Sequence, residues 1–160
     1  MKKNVLMVYP EVPSTYWSFK SSLRFAGKKA QFPPLGLITV AAMLPEEYEV
    51  RLIDMNVRKL SDRDIRWADV VFISAMIVQK QSFGDVVQRC KALGKTVVAG
   101  GPYPTSSYEH IEGVDHFILG EAERVLGEFL RDFENGTAKR LYRDSERPDI
   151  TATPVPRFDL

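Results

Sequence analysis

The amino-acid sequence predicts an α/β fold, a doubly wound sheet of five parallel strands with helices on both faces. Short and nearly continuous apolar runs recur along the chain, as is typical of parallel strands covered on both faces. Segments with helical apolar spacing separate these runs. At 160 residues, of which 44% are hydrophobic, the chain is long enough for one well-filled core.

Five apolar runs are the predicted strands. The second run alternates apolar and polar residues more than the others, so it is expected near an edge of the sheet. The predicted strands are Asn4–Tyr9, Tyr48–Asp54, Asp69–Ala75, Thr96–Gly100 and His116–Gly120.

Three segments between the strands carry apolar residues at i, i+3, i+4 and i+7, beginning at Leu37, Phe83 and Leu126. Each is predicted to lay one helical face on the sheet. A shorter helix is predicted after Pro104. Two helix starts are indicated by a hydroxyl followed three residues later by an acid, and these are Ser61 with Asp64 and Ser82 with Asp85. The alternation predicts a Rossmann-like, flavodoxin-like topology, in which ligands bind beyond the carboxyl ends of the strands.

Composition excludes several classes of protein. A net charge of +1 gives no global preference for nucleic acid or for an anionic membrane. Since no apolar run approaches the roughly 20 residues of a membrane span, the chain is predicted to be cytoplasmic. Cys90 is the only cysteine and is expected to be buried. One cysteine and two histidines argue against a self-contained zinc or iron-sulfur site, so no metal ligand is predicted.

Common catalytic and nucleotide-binding motifs are absent. The first strand is not followed by GxGxxG, and neither GxxxxGK[ST] nor GxSxG occurs. His110 falls in a predicted short helix and His116 at the start of a strand, on the edge opposite the functional loops. No catalytic residue is therefore predicted in this chain.

The predicted strand ends are poor in reactive side chains and rich in small ones. They read "SAM" at residues 74–76, "AGGPYPT" at 99–105 and "LGEAE" at 119–123. Such ends suit a bulky ligand that is held by backbone and hydroxyl contacts and supplies its own reactive centre. An alternative remains open, in which Gly100 and Gly101 only make a tight turn.

The long loop 10–34, rich in aromatic and basic residues, is either a partner-facing lid or an ordinary packed loop.

Four segments in order, "FPPLGLITVAAMLPEEYEVRLID", "DVVFISAMIVQ", "VVAGGPYPT" and "DHFILGEAE", resemble the N-terminal cobalamin-binding domain of cobalamin-dependent radical S-adenosylmethionine (SAM) enzymes. The resemblance covers about residues 4–133. It implies a cobalamin-binding domain at 1–135 and a linker at 136–160 that leads to a radical SAM catalytic domain absent from this chain.

The resemblance also implies a binding site for the corrinoid. Ser74 would hydrogen-bond the nucleotide tail, and Gly100 and Gly101 would leave room for it. A bulky residue at position 101 is expected to abolish corrinoid binding if the chain binds cobalamin, and to leave domain docking largely intact if the chain is only a docking scaffold. Leu35 and Gly36 would start the helix that faces the corrin, with Gly120 and Glu121 at the far end of the tail. The implied cofactor-binding residues are Leu35, Gly36, Ser74, Ala75, Met76, Gly100, Gly101, Pro102, Tyr103, Gly120 and Glu121.

Two departures define the expected cofactors and partners. There is no DxHxxG motif and no histidine between Met1 and Glu109, so cobalamin would bind without a His ligand from the first loop. There is no CxxxCxxC, so S-adenosylmethionine and a four-iron four-sulfur cluster would belong to the C-terminal radical SAM domain of the same polypeptide.

The resemblance thus implies a non-catalytic module of a methyltransferase, or of another enzyme acting on an unreactive carbon. Its partners would be a corrinoid and the catalytic domain, and neither nucleic acid nor membrane. Two alternatives remain open: a cofactor-free scaffold that docks the catalytic domain, and a small-molecule enzyme using Asp54 or Glu121 as a base.

Overall fold

A computed structural model describes residues 3–14, 25, 27, 30, 32–144, 151 and 153–160. The strands within this part of the chain are β1 (Asn4–Tyr9), β2 (Glu49–Asp54), β3 (Val70–Ser74), β4 (Thr96–Gly100), β5 (His116–Leu119) and β6 (Leu141–Arg143). They form one parallel sheet in the order β2-β1-β3-β4-β5-β6. The predicted fold class is confirmed, and β2 lies at an edge as its alternation indicates.

Among the described residues the sheet has six strands, so the expectation of five is wrong by one. The additional strand β6 lies within the segment 136–160 that the sequence predicts to be a linker. Three residues are too short to produce a periodic signal. The strand is defined instead by its pairing with β5 and by Tyr142, whose buried side chain donates a hydrogen bond to Asp132 Oδ2 at 2.8 Å.

In the described part of the chain, the strands are accompanied by five helices and by two single 3₁₀ turns. The helices are α1 (Leu35–Met43), α2 (Asp62–Trp67), α3 (Lys80–Ala92), α4 (Pro102–Ser107) and α5 (Ala122–Glu134), and the turns are Ile77–Gln79 and Tyr108–His110. The three helices predicted from apolar spacing are confirmed. The short helix α4 begins at Pro102, earlier than expected, because proline at the first helical position costs no backbone hydrogen bond.

One of the two predicted capping pairs is present. The Ser61 hydroxyl accepts from the Asp64 backbone N–H, and the Asp64 carboxylate accepts from the Ser61 backbone N–H. The prediction for Ser82 is wrong because α3 already begins at Lys80. The Ser82 hydroxyl instead accepts a 2.9 Å hydrogen bond from the Glu11 backbone N–H, which follows β1.

The helices cover the two faces of the sheet separately. Buried residues of α1 and α5 share one apolar cluster, whereas those of α2, α3 and α4 belong to the other. Cys90 lies fully buried in α3, as expected. Burial raises the pKa of its thiol to about 11, so this cysteine is not a nucleophile at neutral pH.

The connection through α5 has an unusual hand. The chain steps in one direction from β3 to β6, yet α3 and α4 cover one face and α5 the other. The β5–α5–β6 crossover is therefore opposite in hand to its two predecessors, although nearly all such crossovers share one hand. This places the start of α5 on the same face as the start of α1.

No helix in the described part of the chain is both long enough and apolar enough to cross a membrane.

Candidate functional site

A cleft of about 570 Å³ opens at the carboxyl edge of the sheet, between the first turns of α1 and α5. The side chains of Phe72, Val98 and Ile118 line it from three neighbouring strands. All three are nearly fully buried and belong to the apolar cluster beneath α1 and α5. The inner part of the cleft is therefore apolar and rigidly supported.

Small residues at the ends of the same three strands keep the cleft open. Ser74 ends β3, Gly100 ends β4 and is paired with Ser74, and Gly120 follows β5. A Cβ atom at position 100 would lie 2.9 Å from the Ile118 carbonyl oxygen. Gly100 thus allows β4 and β5 to lie at their observed spacing.

Gly101 adopts a backbone conformation that is essentially restricted to glycine, with φ of 86° and ψ of −178°. A Cβ atom there would overlap Ser74 Oγ and lie 3.3 Å from the Ala75 backbone nitrogen. The turn is also closed by a 2.9 Å hydrogen bond from the Tyr103 backbone N–H to the Ala75 carbonyl. The fold itself therefore requires glycine at this position.

Gly36 differs from Gly101, because the protein's own packing does not require a glycine there. It lies in the first turn of α1, and inside helices glycine is up to about 1 kcal/mol less favourable than alanine. A Cβ atom at position 36 would find no atom within 4 Å. Gly36 is one of the residues that line the cleft, and the space beside its Cβ position is unoccupied.

Ten of the eleven residues implicated by the sequence line this cleft. They are Leu35, Gly36, Ser74, Ala75, Met76, Gly100, Gly101, Pro102, Gly120 and Glu121. The structure places the eleventh, Tyr103, outside the cleft, where its ring packs at 5.5 Å from that of Phe83 in the opposite apolar cluster. The first turn of α4 directs this side chain to the other face of the sheet.

Further residues that the sequence analysis did not select also line the cleft, among them Tyr9, Thr105 and Glu123. Tyr9 ends β1, so its position at this edge could have been inferred from the strand prediction. Burial and the nearby Asp54 carboxylate raise the pKa of Tyr9, and a hydrogen bond with Gln79 only partly opposes them. The raised pKa keeps the phenol neutral. Glu123 belongs to the "LGEAE" motif but lies two residues beyond the predicted site.

Gln79 fixes two loops beside the cleft. It is the one buried polar side chain in the described part of the chain. Its Oε1 accepts from the Met76 backbone N–H at 2.8 Å, and its Nε2 donates to the Pro10 carbonyl at 2.5 Å. Asn56 Nδ2 donates to the same carbonyl at 3.3 Å. The chain segments leaving β1 and β3 are thus held together by buried hydrogen bonds.

The predicted long loop 10–34 is described only in part, and its aromatic and basic residues 16–24 lie outside the described residues. Within the described part of the chain, no three His, Cys, Asp or Glu side chains are grouped so as to hold a metal ion. The polar side chains available to a ligand in the cleft include the Ser74 hydroxyl and the Glu121 and Glu123 carboxylates.

Comparisons with known proteins give relatives that are much longer than this chain. An uncharacterized methyltransferase, sll1242, of Synechocystis sp. is 44% identical over 157 residues, which are 97% of this chain and 29% of the relative. The hopanoid C-2 methylase of Rhodopseudomonas palustris is 29% identical over 163 residues, which cover 99% of this chain and 31% of the relative. The bacteriochlorophyllide d C-12(1)-methyltransferase of Chlorobaculum tepidum is 32% identical over 131 residues, which cover 79% of this chain and 28% of the relative. The chain spans about a third of the length of these relatives.

The family model of the B12 binding domain matches residues 26–130. This range includes β2 to β5 and most of the residues that line the cleft. The match extends over well over half of the 160 residues, and the fold has the parallel, doubly wound sheet on which such a site is built. The chain belongs to the B12-binding domain family.

Proposed function

We propose that this chain is the cobalamin-binding module of a longer radical SAM methyltransferase, and that its cleft holds the nucleotide tail of the corrinoid. The observation that supports this most is the cleft itself, where four segments distant in the sequence meet at the carboxyl edge of the sheet. The methyltransferase and methylase names of the longer relatives support the parent activity.

The shape of the cleft fits a flat, mostly apolar group with a few polar atoms. Phe72, Val98 and Ile118 offer an apolar surface for the base of the tail, and the Ser74 hydroxyl is available for one hydrogen bond. A volume of about 570 Å³ suits one ligand-sized group. The corrin ring would lie at the mouth, against Leu35 and Met76, whose apolar side chains are 54% and 40% exposed.

The residues of the cleft bind and orient and do not catalyse. A bound corrinoid supplies a cobalt centre that can carry a methyl group. No histidine lines the described cleft, and the Tyr9 phenol stays neutral, so cobalamin would bind without a ligand from the first loop. S-adenosylmethionine and the four-iron four-sulfur cluster would belong to a C-terminal radical SAM domain on the same polypeptide.

A docking domain without a cofactor is the second candidate, and one observation supports docking. Met76, Ile77 and Val78 are three consecutive apolar residues that remain exposed beside the cleft. Such a run is unfavourable unless something covers it. A catalytic domain could cover it with or without a corrinoid between them.

Gly36 and Gly84 provide a matched test of corrinoid binding. Both are helical glycines with open space at the Cβ position, but Gly36 lines the cleft and Gly84 lies in α3 away from it. We expect Gly36→Leu to occupy the cleft and Gly84→Leu to leave it open. Because leucine is the better helix former, neither variant should be less stable than wild type by more than about 0.5 kcal/mol.

The measurement is titration of each purified protein with hydroxocobalamin, followed by gel filtration with detection of the corrinoid absorbance. The proposal expects binding by wild type and Gly84→Leu, and at least a tenfold loss for Gly36→Leu, since the added side chain takes the ligand's space (about 1.4 kcal/mol per factor of ten). Equal binding by all three would place the corrinoid elsewhere. No binding by wild type at high micromolar concentration would favour the docking hypothesis.

A further inference from the structure

Tyr9 gives the cleft a polar group at the end opposite α5. In the sheet, β1 and β5 lie on opposite sides of β3 and β4, so the end of β1 and the start of α5 border opposite ends of the cleft. The Tyr9 side chain packs against the apolar cluster beneath α1 and α5, to which the floor of the cleft also belongs. Tyr9 therefore lies on the face of the sheet that carries the cleft.

The buried amide of Gln79 orients the Tyr9 hydroxyl. Gln79 Nε2 has two hydrogens to donate, and one of them goes to the Pro10 carbonyl at 2.5 Å. Burial and the Asp54 carboxylate raise the pKa of Tyr9, whereas the hydrogen bond with Gln79 acts to lower it. A hydrogen bond has that effect when it is donated to the phenol oxygen. Gln79 is thus the donor of this bond, and the Tyr9 oxygen is the acceptor.

The phenol proton of Tyr9 is left to donate. Within the described part of the chain, the hydrogen-bond partner of the Tyr9 hydroxyl is Gln79, and that bond uses the oxygen and not the proton. Thr39, which also lines the cleft, differs because its hydroxyl donates to the Leu35 carbonyl at 2.9 Å. Tyr9 therefore offers the cleft a neutral hydrogen-bond donor whose position is fixed by a buried side chain.

This donor lies beside the mouth of the cleft and not beside its far end. Gln79 Oε1 accepts from the Met76 backbone N–H at 2.8 Å, so one buried side chain holds both Tyr9 and Met76. Met76 is where the ring of a bound corrinoid would lie. Gly120 and Glu121 border the opposite, β5 end, where the nucleotide tail would end. An acceptor for the Tyr9 proton is accordingly expected on the ring side of the ligand.

We infer that Tyr9 is a further corrinoid-binding residue, whose phenol donates a hydrogen bond to an oxygen atom on the ring side of the ligand. This inference rests on the proposed function. The side chains around a cobalamin ring end in primary amides, and their carbonyl oxygens accept hydrogen bonds. The contact is made between two neutral groups, so it adds affinity without a charge in the apolar cleft.

Tyr9→Phe is the direct test, because it keeps the aromatic ring and removes only the hydroxyl. Tyr108→Phe is the matched control, since the Tyr108 hydroxyl donates to the exposed Glu109 and its ring packs against Phe117 in the opposite apolar cluster. Each protein is titrated with hydroxocobalamin, and binding is followed by the corrinoid absorbance. We expect Tyr9→Phe to bind about fivefold more weakly than wild type, and Tyr108→Phe to stay within about twofold. Thermal unfolding checks that both variants fold like wild type.

Cobinamide distinguishes a contact with the ring from a contact with the tail. It keeps the corrin ring and the amide side chains but lacks the nucleotide. We expect Tyr9→Phe to weaken the binding of cobinamide by about the same factor as that of hydroxocobalamin. A loss confined to hydroxocobalamin would place the acceptor on the tail and overturn the inference. Failure of cobinamide to bind wild type at about millimolar concentration would also overturn it, because the ring side would then contribute no measurable affinity.

The outcomes with hydroxocobalamin separate this inference from the proposal on which it rests. If Tyr9→Phe binds as tightly as wild type, the inference is overturned while corrinoid binding stands. Equal losses for Tyr9→Phe and Tyr108→Phe also contradict it, since the effect would then not depend on the cleft. If hydroxocobalamin does not bind wild type, the proposed function fails, and the inference fails with it.

Discussion

A Cβ atom at position 101 would overlap the hydroxyl oxygen of Ser74, the residue that ends the neighbouring strand. Gly101 also has a φ of 86°, outside the range that other residues readily adopt. Two independent features of the fold therefore require glycine here. Substitution at Gly101 would strain the protein whether or not a ligand binds, so the substitution that the sequence suggested cannot separate cofactor binding from domain docking, and Gly36 is the position that can.

Gly101→Ala is expected to lower the free energy of unfolding by about 1 to 3 kcal/mol, the cost of a strained backbone conformation. Gly136→Ala is the matched control, since Gly136 has a φ of 70° but open space at its Cβ position. It should cost less, because only the φ penalty applies. Urea denaturation followed by circular dichroism measures both. Equal losses would mean that the overlap with Ser74 is relieved at no cost.

Gln79→Met is expected to lower the free energy of unfolding by about 2 kcal/mol, because it leaves the Met76 N–H without its buried partner and removes one donor from the Pro10 carbonyl. The control is Gln81→Met, which makes the same change at an exposed position two residues later. That variant should stay within about 0.5 kcal/mol of wild type. Similar losses for both would show that the buried hydrogen bonds contribute little.

Asp64→Asn tests the capping box of α2 and its dependence on pH. Burial raises the pKa of Asp64, but hydrogen bonds from the Ser61 hydroxyl and backbone N–H and from Arg58 outweigh it, so the net pKa is lowered. A pKa that is lower in the folded state contributes stability above the unfolded value, near 3.9 for aspartate. That contribution is lost as the pH falls through the lower, folded pKa.

We therefore expect Asp64→Asn to be about 1 kcal/mol less stable than wild type near neutral pH. The difference should shrink below about pH 4 as the wild-type carboxylate takes up a proton. The control Asp85→Asn alters the acid of the capping pair that does not form, and should change stability little at any pH. Urea midpoints measured across the acid range test this, and a difference that grows toward low pH would contradict it.

Local patterns were sufficient to predict most of the fold. The apolar runs, the three helices with one apolar face and the Ser61 cap each depend on residues that are close in sequence. Strand ends of a parallel sheet meet at one edge, so the small residues at 74, 100 and 120 were correctly expected to lie together. The alternation of strands and helices along the chain was enough to predict which edge of the sheet carries the cleft.

The remaining features depend on contacts between distant residues. The Ser82 pair had the same local pattern as the Ser61 pair, but α3 starts earlier, and Ser82 bonds the chain after β1. Likewise no local pattern separates Tyr103 from its neighbours, although α4 directs its ring into the opposite apolar cluster, against Phe83.

The sequence alone therefore determined five of the six strands, their parallel arrangement and the edge at which a ligand would bind, because periodicity and chain direction are local properties. Only the tertiary structure decided that a sixth strand completes the sheet and that α5 crosses to the face of α1. It also decided that Gly101 serves the fold while Gly36 faces open space, and that Glu123 lines the cleft beside Glu121. These relationships depend on the distances between segments far apart in the chain, which no local pattern encodes.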